Sequence, residues 1–172
     1  MADHPVFDSV RTVMAVREYD DRPVPEELIH RIAESAQLTA SSQNGQPWHF
    51  VVVRERETLR EIGGMVAHGP YIAGAAFAVA CSYERSSRFG VSDLSRAIQS
   101  MMLTAWEGGV GSNWTGFGGM DEVAGLLGIP SGHELFAVIP FGYPRRTIRG
   151  KKRRRPLGEV VSAERFGTPF AG

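Results

Sequence analysis

The sequence predicts a single α+β domain in which helices pack around a small sheet. Segments with apolar residues at helical spacing alternate with short, nearly continuous apolar runs of the kind that form buried strands. The chain has 172 residues, which suits one domain with a substantial core, and it contains no internal repeat and no long linker. We therefore expect one domain over residues 1–172, with its core at about 8–161 and a loose tail at 162–172.

The first third of the chain predicts two helices and a strand. Residues 8–16 are amphipathic and should form the first helix. The second helix follows Pro25, because proline suits a first helical turn and the acidic pair 26–27 favours the positive end of the helix dipole. Its apolar face covers residues 28–36. Residues 48–53 are too uniformly apolar for a half-exposed strand, so a buried strand is predicted there.

The rest of the chain continues this alternation. The predicted elements, in order, are a weak helix interrupted by two glycines (58–66), a buried strand (75–83), a long amphipathic helix (92–109), a partly extended glycine-rich segment (110–117), a short helix (120–127) and a third strand (135–143). Ser92 is expected to cap the long helix. Pro140 indicates that the last strand lies at an edge of the sheet or bends.

Composition and motifs narrow the chemistry. Apolar content of 42% and charged content of 22% are ordinary for a soluble globular protein. No window is apolar enough to span a bilayer and residues 1–5 do not resemble a signal peptide, so we expect a cytoplasmic protein without a membrane partner. Cys81 lies in an apolar run and should be a buried, inert thiol. The five histidines show no metal-ligand spacing, and no complete Gly-x-Gly-x-x-Gly fingerprint follows a strand.

Basic residues are concentrated in one segment, residues 145–155, although the net charge of the chain is zero at pH 7. Such a run can bind nucleic acid or an anionic surface, or it can simply be solvated. Because Tyr143 at its edge is the one aromatic residue near it, base stacking has little support and a nucleic-acid partner is not expected. A small molecule that carries a phosphate needs only one or two of these cations.

The most informative segment is Ser-Ser-Gln-Asn-Gly-Gln-Pro-Trp at residues 41–48, directly before the first predicted strand. Small hydroxyls, amides and a glycine at a helix-to-strand corner offer short donors and acceptors to the phosphate and polar ring edge of a planar cofactor. The same residues could instead cap the preceding helix and close a turn. Trp48 is expected in the core.

Several motifs occur in the order seen in the nitroreductase family, which the chain resembles over residues 8–161. They are Arg17 before Tyr19, a Pro-Val-Pro connector, Ser-Ser-x-Asn-x-Gln-Pro-Trp, the glycine-rich segment 109–117, Gly-Tyr-Pro at 142–144 and Arg154-x-Pro-Leu. The resemblance implies an FMN-dependent oxidoreductase. It also implies a three-layer α+β fold with a small mixed or antiparallel sheet flanked by helices, and an obligate homodimer with the flavin site at the subunit interface.

The resemblance also implies which residues bind FMN. Arg17 corresponds to a cation that contacts the flavin ring or phosphate, although it could simply be a surface cation. Ser41, Ser42 and Asn44 correspond to residues that reach the flavin across the subunit boundary. Gln46 belongs to the same corner and is expected to shape it more than to touch the cofactor.

Two further groups complete the implied site. Asn113, Trp114, Thr115 and Gly116 match a segment whose backbone amides run beside the flavin ring and stabilise negative charge there; otherwise this is an ordinary glycine-rich loop. Lys152 and Arg154 match cations that pair with the FMN phosphate, for which the planar arginine fork is well suited.

The chain also departs from the family pattern. Met14 and Ala15 stand where the family usually has a basic residue and a hydroxyl, so FMN affinity could be weaker or the cation could come from Arg11 or from the basic segment. Residues 84–90 replace a longer insertion that often covers the active site, and residues 67–71 show no clear counterpart of polar side chains that touch the ring in some members.

The implied reaction is hydride transfer from NADH or NADPH through FMN to a nitroaromatic, quinone or similar planar electrophile, with donor and acceptor using the same open face in turn (a ping-pong mechanism). Other flavin chemistry, namely dehalogenation, substrate dehydrogenation or flavin breakdown, is the first alternative. A flavin-binding protein with little turnover is the second. The apolar surface of the long predicted helix, which includes Met101, Met102 and Trp106, exceeds what a small sheet can cover and independently favours a symmetric dimer.

Overall fold

The computed structural model describes residues 4–116, 118–148 and 150–170. Within these residues the helices are α1 (Pro5–Thr12), α2 (Glu26–Gln37), α3 (Arg56–Met65), α4 (Gly90–Glu107) and α5 (Met120–Leu126). The strands are β1 (Trp48–Val53), β2 (Phe77–Glu84), β3 (Gly111–Ser112) and β4 (His133–Gly142). Short 3₁₀ turns occupy Ser42–Asn44, Pro70–Gly74 and Leu157–Glu159.

The four strands form one antiparallel sheet in the order β1-β2-β4-β3. Successive side chains of a strand point to opposite faces, so β2 contributes to two cores. Phe77 and its alternate neighbours pack with α2 and α4 on one face, whereas Ala78 and Ala80 pack with α3 and α5 on the other. The result is helices, sheet and helices in three layers, which confirms the predicted α+β fold with a small antiparallel sheet.

The first helix lies earlier than predicted, at Pro5–Thr12 instead of 8–16. Pro5 suits the first turn, and the backbone leaves helical geometry at Val13. Ala15 then forms a parallel bridge with Ser112, and the Val16 N–H donates to the Ser112 carbonyl at 2.9 Å. The apolar pattern of residues 13–16 therefore reflects pairing with the edge of the sheet and not a continuing helix.

Strand β1 has the predicted bounds but not the predicted burial. It pairs only with β2 among the described strands, and it forms an edge on which His49 is exposed and the Val52 side chain is 37% exposed. An apolar composition indicates that a segment packs as a strand, but it does not indicate whether that strand lies at the edge or in the middle of the sheet. The prediction of a fully buried strand was wrong for the single chain.

Pro140 does not mark an edge, because β4 lies between β2 and β3 and Pro140 is opposite Ala78. The Val138 N–H donates to the Thr115 carbonyl at 2.8 Å on the β3 side of the strand. The backbone nitrogens of alternate residues point to the same side of a strand, so the Pro140 nitrogen also faces the β3 side. Residues 113–114, which lie opposite it, are not paired with β4. The proline is tolerated inside the sheet because no donor is needed at that point.

Two local predictions about helices also need correction. The longest helix begins at Gly90, and the Ser92 hydroxyl donates to the Phe89 carbonyl at 3.0 Å instead of capping the helix. Glycine is required at position 90 because a Cβ there would lie 2.2 Å from the Tyr83 ring. Helix α3 runs through Gly63 without interruption, since that residue packs closely against the 3₁₀ turn that contains Ala73.

No helix in the described ranges combines the length and hydropathy needed to cross a bilayer. Cys81 is buried in β2, as predicted, and its burial raises the pKa of the thiol. Phe117 of the glycine-rich segment and Arg149 of the basic segment lie outside the described residues.

Candidate functional site

A cavity of about 650 Å³ opens beside α1 and α4. Four of the predicted site residues line it together, namely Asn113, Trp114, Lys152 and Arg154. They come from two segments that are almost forty residues apart in the chain. One is residues 113–116, which follow β3 and are called the strip here, and the other is the basic segment. The cavity is therefore where the structure brings the implied ring-binding and phosphate-binding residues together.

The remaining wall is mostly apolar. It is formed by residues of α1, of the turn after it and of α4: Phe7, Val10, Arg11, Val13, Met14, Ala15, Gln99 and Met102. Ligand sites commonly combine such apolar walls with a few convergent polar groups. The two positions at which the chain departs from the family pattern, Met14 and Ala15, thus lie in the cavity wall and make it less polar there.

Lys152 and Arg154 bring two neighbouring cations to the cavity wall. Neither has a carboxylate oxygen within 4.0 Å among the ion pairs of residues 4–116, 118–148 and 150–170. The Lys152 Nζ donates to the Val10 carbonyl near the end of α1 at 2.5 Å, and the Arg154 guanidinium donates to the Arg153 carbonyl at 2.9 Å. Partial burial and the neighbouring Arg154 both lower the pKa of Lys152. The cavity therefore carries positive charge that an anion could neutralise.

Arg11 also lines the cavity, and it is the alternative cation suggested by the sequence. Its guanidinium donates to the Asp8 carboxylate at 2.8 Å, one helical turn away. Both side chains are exposed, and the pair is the common i, i+3 arrangement on a helix surface. Because Asp8 neutralises it, Arg11 is a weaker candidate for an anion contact than Lys152 or Arg154.

The strip after β3 is held by a hydroxyl that the sequence did not reveal. The Asn113 side-chain amide donates to the Tyr71 phenolic oxygen at 2.6 Å, and the Thr115 hydroxyl lies 2.8 Å from the same oxygen. The Arg17 guanidinium lies over the Tyr71 ring, 5.8 Å from its centroid, in cation–π geometry. Tyr71 thus connects three predicted site residues, although Arg17 and Thr115 are not in the cavity wall.

Thr115 and Gly116 hold the strip against the sheet. Thr115 is buried and forms an antiparallel bridge with Val138. A Cβ at position 116 would lie 2.7 Å from the Phe136 carbonyl oxygen, so the close approach requires glycine. The Trp114 ring meets the Phe136 ring edge-on at 5.8 Å between centroids. These contacts keep Asn113 and Trp114 in the cavity wall.

The 41–46 corner does not belong to this cavity in the single chain. The Ser41 hydroxyl accepts a hydrogen bond from the Gln46 backbone at 3.0 Å, and the Gln46 side chain donates to the Asn44 carbonyl at 3.2 Å. The Ser42 N–H and hydroxyl both donate to Asp93, each at 3.0 Å. The Ser41 hydroxyl therefore closes the turn, and no side chain of the corner caps helix α2 among the described residues.

Sequence reasoning missed Tyr71 and Asp93. Tyr71 lies 42 residues before Asn113, and Asp93 lies 51 residues after Ser42. Neither residue belongs to a local motif, and a tyrosine beside a proline or an acid in a helical first turn is common. Only the tertiary structure shows that both contact predicted site residues.

Comparison with known proteins identifies the family. Residues 10–86 and 64–143 match the family model described as Nitroreductase family. A relative from Methanothermobacter thermautotrophicus, provisionally named NADH dehydrogenase/NAD(P)H nitroreductase, is 40% identical over 147 residues, which cover 81% of this chain and 77% of the relative. A second relative, FMN reductase [NAD(P)H] from Bacillus subtilis, is 26% identical over 175 residues, covering 97% of this chain and 63% of the relative.

A solved structure supports the same assignment. The crystal structure of a protein from Bacteroides thetaiotaomicron, also provisionally named NADH dehydrogenase/NAD(P)H nitroreductase, superposes with a TM-score of 0.87 and 25% sequence identity. The alignment covers 93% of this chain and 98% of that protein. The matched regions contain the 41–46 corner, the strip after β3 and all four strands. The chain belongs to the nitroreductase family.

Proposed function

We propose that the protein is an FMN-dependent oxidoreductase that uses NADH or NADPH to reduce nitroaromatics, quinones or similar planar electrophiles. The observation that carries this proposal is the pair of cations Lys152 and Arg154, which lack a carboxylate partner among the described residues and line one cavity with Asn113 and Trp114. The names of the relatives from Methanothermobacter thermautotrophicus and Bacillus subtilis, which mention NAD(P)H and FMN, support the same donor and cofactor.

The hydrogen-bond donors of Lys152 and Arg154 suit the FMN phosphate. Arginine can bind a phosphate through two parallel hydrogen bonds, and lysine adds a point charge with three donors. The Lys152 ammonium is already directed to the end of α1 by its bond to the Val10 carbonyl. A phosphate would neutralise the mutual repulsion that contributes to the lowered pKa of Lys152. Lys152 and Arg154 would hold the phosphate.

The apolar wall fits a planar ring. Met14, Met102 and Trp114 provide apolar surface in the cavity, and Asn113 adds a polar group whose amide is fixed by Tyr71. The chemistry that FMN supplies when bound is hydride transfer from a nicotinamide donor to a second compound in two successive half-reactions. These residues would bind and orient the ring and would exclude water from its apolar side.

The site also requires a second copy of the chain. The 41–46 corner lies apart from the cavity within one chain, so its contact with flavin would come from the other subunit of a homodimer. Helix α1 supports this, because Val6 is 73% exposed and Phe7 is 64% exposed in the single chain. Large apolar side chains that neighbour each other on an exposed helix are common at protein interfaces. Arg17 would contact the ring or phosphate of the same flavin.

We further propose that the chain is one domain and acts in the cytoplasm. Its three layers share a single continuous sheet, which supports one domain. A second candidate function, that of a flavin-binding protein with little turnover, is favoured by Met14 and Ala15, which reduce the polar contacts in the cavity wall.

An anaerobic reduction experiment separates these candidates. Protein reconstituted with FMN is mixed with NADH or NADPH, and the flavin absorbance is followed before and after addition of an acceptor. Rapid bleaching, followed by recovery with a nitrofuran or a quinone, supports the reductase. Bound FMN that is bleached by neither nicotinamide supports the flavin-binding alternative. Recovery only with a halotyrosine supports dehalogenation.

A further inference from the structure

Asp93 is a buried acid that contacts the 41–46 corner. It lies in the first turn of α4 and is 1% exposed. One carboxylate oxygen accepts the Ser42 hydroxyl at 3.0 Å, and the other accepts the Ser42 backbone N–H at 3.0 Å. The Arg96 guanidinium, one turn along the helix, donates to the first of these oxygens. Both oxygens of the carboxylate thus bind a single residue of the corner.

This arrangement keeps a negative charge inside the protein. A buried carboxylate is costly unless it is paired and hydrogen-bonded. Burial opposes ionisation, but the hydrogen bonds from the Ser42 backbone, from Arg96 and from the Ser42 hydroxyl outweigh it and lower the pKa of Asp93. The positive end of helix α4 also favours a carboxylate in its first turn. Asp93 is therefore charged at neutral pH.

The corner that Asp93 contacts has a strained backbone. Gln43 and Asn44 both have φ of 55°, and Gln46 has φ of 47°. Residues other than glycine rarely adopt this left-handed conformation, and they keep it only where surrounding contacts enforce it. The contacts inside the corner, from Ser41 to Gln46 and from Gln46 to Asn44, shape the loop but do not tie it to a helix. The Ser42–Asp93 pair does.

We propose that Asp93 is a positioning residue that holds the 41–46 corner in the conformation in which it meets the flavin of the second subunit. This inference rests on the proposed function. Asp93 acts through Ser42 and needs no contact with the cofactor. Its role is preorganisation, since a corner already held in its bound conformation loses less entropy when the flavin binds.

Asp93→Asn tests the proposal directly, because asparagine has the same shape but replaces one acceptor by an NH₂ donor. In one orientation of the amide that donor would oppose the Ser42 N–H, and in the other it would oppose the Arg96 guanidinium, so in both cases the hold on the corner should weaken. We expect faster hydrogen exchange of the amides at 42–46 in the flavin-free protein, with β2 and the rest of α4 unchanged. We also expect FMN to bind at least about tenfold more weakly, a change equivalent to about 1.4 kcal/mol.

Asp121→Asn is the matched control. Asp121 is an exposed acid in the first turn of α5, so this variant makes the same chemical change at another helix start that has no contact with the corner. It should leave both the exchange at 42–46 and the FMN dissociation constant at their wild-type values. If it weakened FMN binding as much as Asp93→Asn did, the effect would reflect general charge and the proposal would be wrong.

The wild-type titration separates this inference from the proposed function. If wild-type protein takes up no FMN, both are overturned. If wild-type protein binds FMN and Asp93→Asn binds it equally well, only the positioning role of Asp93 is overturned. Should Asp93→Asn fail to fold, Ser42→Ala replaces it, since it removes the hydroxyl bond but leaves the carboxylate paired with Arg96. Unchanged exchange at 43–46 in flavin-free Ser42→Ala would then overturn the proposal, and faster exchange would support it.

Discussion

The Asn113 amide donates to the Tyr71 phenolic oxygen at 2.6 Å, and the Thr115 hydroxyl shares that oxygen at 2.8 Å. A single hydroxyl from the 3₁₀ turn Pro70–Gly74 therefore fixes two side chains of the strip that follows β3. Asn113 and Thr115 are both buried, so the loss of Tyr71 would leave the Thr115 hydroxyl without its partner and the Asn113 amide with only its bond to the Trp114 carbonyl. The strip and the turn should behave as one unit.

We expect Tyr71→Phe to destabilise the protein and weaken FMN binding. The change deletes one hydroxyl while leaving the ring under Arg17. The cost arises from the buried Thr115 hydroxyl, which loses its partner, and from the weakened hold on Asn113, and it should be about 1–3 kcal/mol. Urea unfolding measures the stability, and flavin fluorescence measures the affinity. Tyr143→Phe is the control, because the Tyr143 ring packs against Arg22 at 3.4 Å and its hydroxyl makes no hydrogen bond within the described residues. Equal losses in both variants would contradict the role of Tyr71.

Arg154→Ala should reduce FMN retention. Hydrogen bonds to a charged group contribute about 1.5–3 kcal/mol, so the dissociation constant should rise roughly 10- to 100-fold. The effect should shrink at high salt, because the lost interaction is partly electrostatic. Arg153→Ala is the neighbouring control, since Arg153 does not line the cavity. Unchanged flavin content in Arg154→Ala would refute the phosphate role of this arginine.

Two glycine substitutions should change the free energy of unfolding in opposite directions. Gly116→Ala tests how closely the strip packs on the sheet, and Gly125→Ala in α5 is the comparison. Gly116→Ala places a Cβ 2.7 Å from the Phe136 carbonyl, which should cost about 1–3 kcal/mol of stability. Gly125→Ala in helix α5 adds a Cβ that meets no heavy atom of the described residues within 4 Å, so it should instead stabilise the protein by about 0.5–1 kcal/mol. Thermal or urea unfolding of both variants checks the pair. A neutral Gly116→Ala would mean that the strip is looser than described.

Acid should weaken the fold in part through Asp93. Its pKa is lowered in the folded protein, because hydrogen bonds from Ser42 and Arg96 outweigh the opposing effect of burial. A carboxyl group whose pKa is lower in the folded than in the unfolded protein stabilises the folded state. This stabilisation is fully present above the unfolded pKa, about 3.9, and is lost as the pH falls through the folded pKa. Urea unfolding at a series of acidic pH values should therefore show a shallower loss of stability below about pH 4 for Asp93→Asn than for wild type. The same slope in both proteins would contradict this.

The sequence predicted the bounds of an element well where the residues of that segment alone decide its secondary structure. The bounds of β1 match the prediction, and helices α2 and α5 differ from it by only a few residues. The α1 prediction was displaced because residues 13–16 are apolar for a different reason, their pairing with Ser112 at the sheet edge. An edge strand and a buried strand can have the same composition, so the position of β1 could not be predicted.

The candidate site was predicted in pieces. Motif order implied Asn113, Trp114, Lys152 and Arg154, and the structure places all four in one cavity wall. The residues that hold the site were not predictable, because Tyr71 and Asp93 act over separations of 42 and 51 residues in the chain. A hydrogen bond between distant segments leaves no periodic or local pattern in the sequence.

The most direct test of the central claim is light scattering with simultaneous flavin absorbance on a sizing column, after incubation of the purified protein with micromolar FMN. The account predicts a single species with twice the mass of the chain that carries one FMN per chain. A monomer of the same purity that elutes without flavin would contradict it, because a cavity in one subunit and a corner from the other are both required to enclose the cofactor.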